Sequence, residues 1–105
     1  MLAALLQHHA RPAAALVTQG GAGARWIERG RAPARCAALP VEALDTTGAG
    51  DVFHAALALA LAEGRAADAA VSWACAAAAF KCERGQGAEG APTRRELAAW
   101  LRRRV

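Results

Sequence analysis

Asp45-Thr46-Thr47-Gly48-Ala49-Gly50-Asp51 runs directly into Val52-Phe53-His54-Ala55-Ala56-Leu57, so a glycine-containing turn feeds the start of an apolar helix. The first N–H groups of a helix have no intrahelical acceptor and lie at the positive end of the helix dipole. Ala49, Gly50 and Asp51 can therefore direct backbone donors at one phosphoryl group, and the glycines let it approach closely. Asp51 puts a carboxylate beside that anion site, where electrostatics alone would avoid one. Two readings account for it. It is a general base that takes a proton from an attacking hydroxyl, as aspartates do in phosphoryl transfer. Otherwise it is a first-turn cap, stabilising by a few tenths to about 1 kcal/mol. Taken alone, capping is the commoner role.

Downstream, the alanine and leucine pattern predicts a helix over 48–64, ended by Gly64 where a left-handed cap belongs. A second helix is expected over 67–83. Three glycines and a proline make Arg84 to Pro92 a loop, and Thr93 with Glu96 three residues later forms a capping box for a last helix over 93–104. Upstream, Leu2 to His8 reads as a short helix broken at Arg11-Pro12. Ala13 to Val17 reads as a buried strand, and Gly20-Gly21-Ala22-Gly23 as a tight turn into a strand over Ala24 to Glu28. A turn at Arg29-Gly30-Arg31 then makes a hairpin with Arg35 to Leu39. Strands within 13–39 followed by helices define an α/β layered chain.

With 105 residues, one compact domain is expected, and no linker or repeat divides it. The hydrophobic share of 55% and net charge of +4 argue against intrinsic disorder. Lys81 is the only lysine among 13 basic residues. The apolar runs Ala55 to Ala62 and Ala74 to Phe80 fall short of the roughly 20 residues that cross a bilayer. Met1 to Leu6 has no basic flank, so a signal peptide is not indicated and a cytoplasmic location is expected. Cys36, Cys75 and Cys82 form no CxxC pair and no even set, which indicates reduced thiols rather than disulfides or a zinc site.

The string Asp45 to Asp51, with Phe53 and Ala56 continuing it, resembles the second signature of the PfkB or ribokinase-like family of carbohydrate kinases, D-T-x-G-A-G-D before an apolar helix. Two further segments agree in order. Leu16-Val17-Thr18-Gln19-Gly20-Gly21-Ala22-Gly23 resembles the family's V-T-x-G-x-x-G strand and turn, and Ala74-Cys75-Ala76-Ala77-Ala78-Ala79 resembles its A-N-A-A-A-A helix. The resemblance implies the C-terminal part of a ribokinase-like three-layer fold, with ATP and Mg²⁺ as cofactors and a sugar as acceptor. It assigns the catalytic base to Asp51, the anion hole to Gly48, Ala49 and Gly50, and nucleotide contacts to Thr18, Gly20, Gly23 and Cys75. Cys75 stands where the family has an asparagine beside the adenine. A monovalent cation such as K⁺ is implied at Asp45 and the Thr47 carbonyl, with carbonyls from the loop after the adenine helix.

The same resemblance assigns the sugar-contacting residues and the lid to an N-terminal portion that has no counterpart here. The chain is therefore expected to be a partial kinase domain: a fragment of a split or truncated gene whose N-terminal portion is missing, a piece that assembles with another chain or with a second copy of itself, or a remnant without turnover. His54, in Phe53-His54-Ala55-Ala56, resembles an F-H-G-A variant of the motif and either lines the substrate side or packs. His8 and His9 read as surface residues. Trp26, Trp73 and Trp100 read as packing residues on separate elements. Arg102, Arg103 and Arg104 read as a solvated helix end that complements the dipole. Neither a single basic stripe nor a nucleic-acid-binding motif accompanies the isoelectric point near 9.8, so no nucleic-acid partner is expected.

Overall fold

The computed structural model describes residues 2–104, which form two compact units meeting at the Ala38–Leu39 peptide. In the first, helix α1 (Leu2–His8) packs on an antiparallel meander of β1 (Ala14–Thr18), β2 (Ala24–Glu28) and β3 (Ala34–Cys36). Thr18 pairs with Ala24 and Ala14 with Glu28, while Trp26 pairs with Ala34. The β1–β2 connection is one 3-10 turn, Gly20–Ala22, closed by Gly23 N–H donating to the Gly20 carbonyl at 2.9 Å. Gly23 takes a φ of +90°, and a Cβ there would lie 1.9 Å from the Cys36 carbonyl oxygen. A side chain cannot be placed at this position without moving β3.

Ala24 and Trp26, alternate residues of β2, and Leu6 of α1 form the buried apolar set of this unit. The Arg29 guanidinium joins the β2–β3 turn to the end of α1. It donates to the carbonyls of Leu6 (2.9 Å), His9 (2.5 Å) and Pro12 (2.8 Å). These acceptors include carbonyls that a helix terminus leaves without intrahelical partners. Two strands differ from expectation. The β1 strand is only half-buried, because as an edge strand it pairs through β2 alone among the described residues. The β3 strand stops at Cys36, where the chain crosses Gly23, and Pro40 has no N–H with which to resume a ladder soon after.

The second unit contains α2 (Ala49–Ala62), α3 (Ala67–Arg84), a 3-10 turn (Gly87–Gly90) and α4 (Arg94–Arg104). Gly64, at φ +85°, ends α2 as expected: Gly64 N–H donates to the Leu61 carbonyl and Arg65 N–H to that of Ala60. The small side chains of α3 let α2 pack closely along it. Ala70, Val71, Ala74, Ala76, Ala77 and Ala79 are all buried. Phe80, Leu97 and Trp100 complete the core, with the Phe80 and Trp100 rings edge to face at 5.6 Å.

The capping box forms as the sequence predicts. Glu96 N–H donates to Thr93 Oγ1 at 3.1 Å, and Thr93 N–H donates to Glu96 Oε1 at 2.9 Å. Arg84 pairs with the same Glu96 carboxylate. At the far end of α4, Arg102, Arg103 and Arg104 are all exposed, as the sequence predicts, and Arg104 also lies 4.6 Å from the Trp100 ring centroid and donates to the Pro40 carbonyl at 2.7 Å. Trp100 Nε1–H in turn donates to Glu83 Oε1 at 3.0 Å. Among the described residues no helix is long and apolar enough to cross a membrane.

Candidate functional site

Gly48 precedes α2 with φ 78° and ψ 5°, a left-handed conformation that costs L side chains about 1–2 kcal/mol and glycine almost nothing. The helix therefore starts at Ala49, inside the motif. Ala49 N–H donates back to the Thr46 carbonyl at 3.1 Å, and Val52 N–H closes the first helical bond to the Gly48 carbonyl at 3.0 Å. The N–H groups of Gly50 and Asp51 lie between these two. They have no intrahelical acceptor and belong to the positive end of the dipole. Asp51 is exposed, and with Gly48 it lines a cavity of about 320 Å³. Val52 and Leu59 of α2, Trp73 of α3, and Thr93 contribute further wall, so an open apolar hollow adjoins the one carboxylate. His54, also exposed, is turned back onto the first turn, its Nδ1 2.7 Å from the Gly50 carbonyl oxygen.

The loop before α2 is fastened to the end of α3. Asp45 Oδ1 accepts the Thr47 N–H at 2.9 Å and Oδ2 accepts the Gly87 N–H at 3.1 Å. The Cys82 carbonyl accepts the N–H groups of Leu44 (2.8 Å) and Asp45 (3.3 Å). Lys81 Nζ donates to the Asp45 carbonyl at 2.8 Å and lies 3.8 Å from Oδ2. Hydrogen bonds from the Thr47 side chain and backbone, then from Gly87, hold the Asp45 carboxyl down at about 2, with the Lys81 charge adding to them and burial opposing. The carboxylate thus stays charged across all ordinary conditions.

Asp45, Thr47, Gly48, Ala49, Gly50 and Asp51 form one continuous substructure at the start of α2. Cys75 is buried in α3 and is not among the residues lining the cavity beside Asp51, to which α3 contributes Trp73 and Ala77. Thr18, Gly20 and Gly23 belong to the first unit, at the end of β1 and in the turn that follows it. The role of Lys81 escaped sequence reasoning. Its signal was present, since the chain's one lysine sits in an alanine-rich helix.

Comparison with known proteins extends these observations. A sequence model described as pfkB family carbohydrate kinase matches residues 1–94. Ribokinase of Bacillus subtilis strain 168 is 46% identical over 88 residues, covering 82% of this chain and 29% of that protein. Among solved structures, Arabidopsis thaliana ribokinase complexed with ribose and ATP superposes with a TM-score of 0.79 at 31% identity, over 85% of this chain and 29% of that one. A ribokinase II of E. coli in complex with ATP and Mg²⁺ gives a TM-score of 0.85 at 28% identity, over 96% of this chain and 32% of that one. The chain spans about three tenths of the length of these relatives, and its α/β arrangement of a small sheet and helices is that of the matching part of the ribokinase fold. By its family match over most of its length and by its fold, this chain belongs to the pfkB family of carbohydrate kinases.

Proposed function

We propose that this chain is the ATP-handling portion of a cytoplasmic carbohydrate kinase, a partial PfkB domain over residues 1–105 that serves transfer of the ATP γ-phosphate to a sugar hydroxyl. Asp51 is the general base, accepting the hydroxyl proton as the oxygen attacks phosphorus. The backbone at Gly48, Ala49 and Gly50, with the α2 dipole, stabilises charge on the transferred phosphoryl group. Thr18, Gly20, Gly23 and Cys75 contribute to nucleotide binding, and Mg²⁺ accompanies the ATP and offsets its charge. The observation carrying this reading is the exposed Asp51 carboxylate at the first turn of α2, next to N–H groups without intrahelical acceptors and on the wall of an open cavity.

Purified chain mixed with ATP, Mg²⁺ and a panel of sugars should release ADP only when an acceptor is present. Sugar-independent release, or none with any sugar, would count against phosphoryl transfer by this chain on its own. A second reading has its own support. Leu59 and Leu61 of α2 are about half exposed, at 50% and 48%, and the chain spans 29% of its Bacillus relative. On that reading the chain binds nucleotide without turnover and needs a further portion or another copy to supply the acceptor side. Light scattering and a nucleotide titration separate the two, since a monomer with sugar-dependent ADP release excludes the second.

A further inference from the structure

Lys81 has no exposed surface. Burying an ammonium is costly unless it is paired and hydrogen-bonded, so its partners define what it does. Among the described residues they belong to one: the Asp45 carbonyl at 2.8 Å and the Asp45 carboxylate at 3.8 Å. The stem is covered by the turn that follows α3. At Gly90 a Cβ would lie 3.6 Å from Lys81 Cγ and 1.9 Å from the Gly85 carbonyl oxygen, so this turn folds over the lysine only with glycine there. Gly87, in the same turn, donates to Oδ2 of the Asp45 carboxylate, the oxygen that Lys81 faces. Three features of this chain, a buried charge, a glycine-closed turn and the Cys82 carbonyl, therefore converge on the residue that begins the loop into α2.

The family resemblance implies a monovalent cation at Asp45 and Thr47, and the donor set does not suit one at this carboxylate. Both carboxylate oxygens accept N–H groups, and an ammonium already stands 3.8 Å from Oδ2. A second cation at the same oxygen would meet like charge at close range. We propose that Lys81 is a positioning residue that acts as the resident cation of the 45–47 loop, holding the α2 N-terminus in place without a bound monovalent ion. Its meaning for catalysis rests on the reading of that N-terminus as the anion site, but its test needs no turnover.

The test is thermal unfolding of the full chain in KCl, methylammonium chloride and choline chloride at equal ionic strength. The wild type should unfold at the same temperature in all three. Lys81→Ala should unfold at least about 4 °C lower in choline chloride, the shift that a loss near 1 kcal/mol produces in a small domain. K⁺ or methylammonium should restore much of that loss with a saturable concentration dependence, as a ligand of the folded state does. A lysine that merely fills space would give a loss that no cation repairs, and that result would overturn the proposal. So would K⁺-specific stabilisation of the wild type, or an alanine variant as stable as the wild type. Should Lys81→Ala fail to fold in every salt, the wild-type comparison decides: equal midpoints support the resident cation and a K⁺-specific rise refutes it. Failure of the kinase reading would appear instead as absent ADP release with these salt responses intact.

Discussion

Replacing Thr93 by alanine removes the hydroxyl that accepts the Glu96 N–H at 3.1 Å and leaves a first-turn donor of α4 to water. Truncating a threonine N-cap costs about 1 kcal/mol, which lowers the unfolding midpoint of a domain this small by about 4–8 °C. Far-ultraviolet circular dichroism during heating measures it directly. A second arm isolates the charge. Hydrogen bonding from the Thr93 N–H, then the Arg84 guanidinium, holds the Glu96 carboxyl below its ordinary value of 4.5. A carboxyl lowered on folding stabilises above its unfolded value, and the contribution is lost as pH falls through the folded one. Glu96→Gln keeps an oxygen acceptor without the charge. It should therefore be less stable than the wild type at neutral pH, with the difference closing on acidification below 4.5 as the wild-type glutamate protonates. A midpoint unchanged in Thr93→Ala, or a Glu96→Gln difference that ignores pH, would refute the capping-box account of how α4 is started.

The other predictions concern both units. Gly23→Ala puts a Cβ 1.9 Å from the Cys36 carbonyl at a φ of +90°, so the chain should show increased amide exchange in β3, and unchanged exchange would contradict the crossing described. Leu97→Ala, at a residue 2% exposed in the core with Phe80 and Trp100, should cost about 2–5 kcal/mol in urea unfolding followed by tryptophan fluorescence. The lowered Asp45 carboxyl should add stability above its ordinary 3.8 that fades toward about 2, and Asp45→Asn should remove that segment of the acid-unfolding profile.

Much of this architecture was readable because the residues that set it act locally. Gly48 and Gly64 bracket α2 through left-handed conformations, and the Thr93–Glu96 pair bonds across one turn. The glycine turn between β1 and β2 likewise needs only its own residues. Long-range contacts were not legible. Lys81 and Asp45 are 36 positions apart, and a lone lysine carries no mark of the carbonyl it will meet. Arg29 and Arg104 bind main-chain oxygens, which every residue offers, so the sequence of a turn or helix end does not show which acceptors the fold will bring to its basic residue. The end of β3 escaped for the same reason, since it depends on how closely Cys36 passes Gly23. In the candidate site, the motif residues before and within α2 were legible as a string. The cavity wall from Trp73 and Thr93 was not, because it is assembled from separate elements.

The most direct test of the central claim places this chain's sequence in Bacillus subtilis ribokinase, in exchange for the 88-residue segment that matches it, and compares Asp51 with Asp51→Asn in that setting. Sugar-dependent ADP release gives turnover, and calorimetric titration gives nucleotide affinity. Loss of a general base acts on the transition state, so turnover should fall by about 10²–10⁴-fold while the Kd for ATP stays nearly unchanged. An active exchange protein whose Asp51→Asn form keeps full turnover would contradict the assignment of Asp51 as the base.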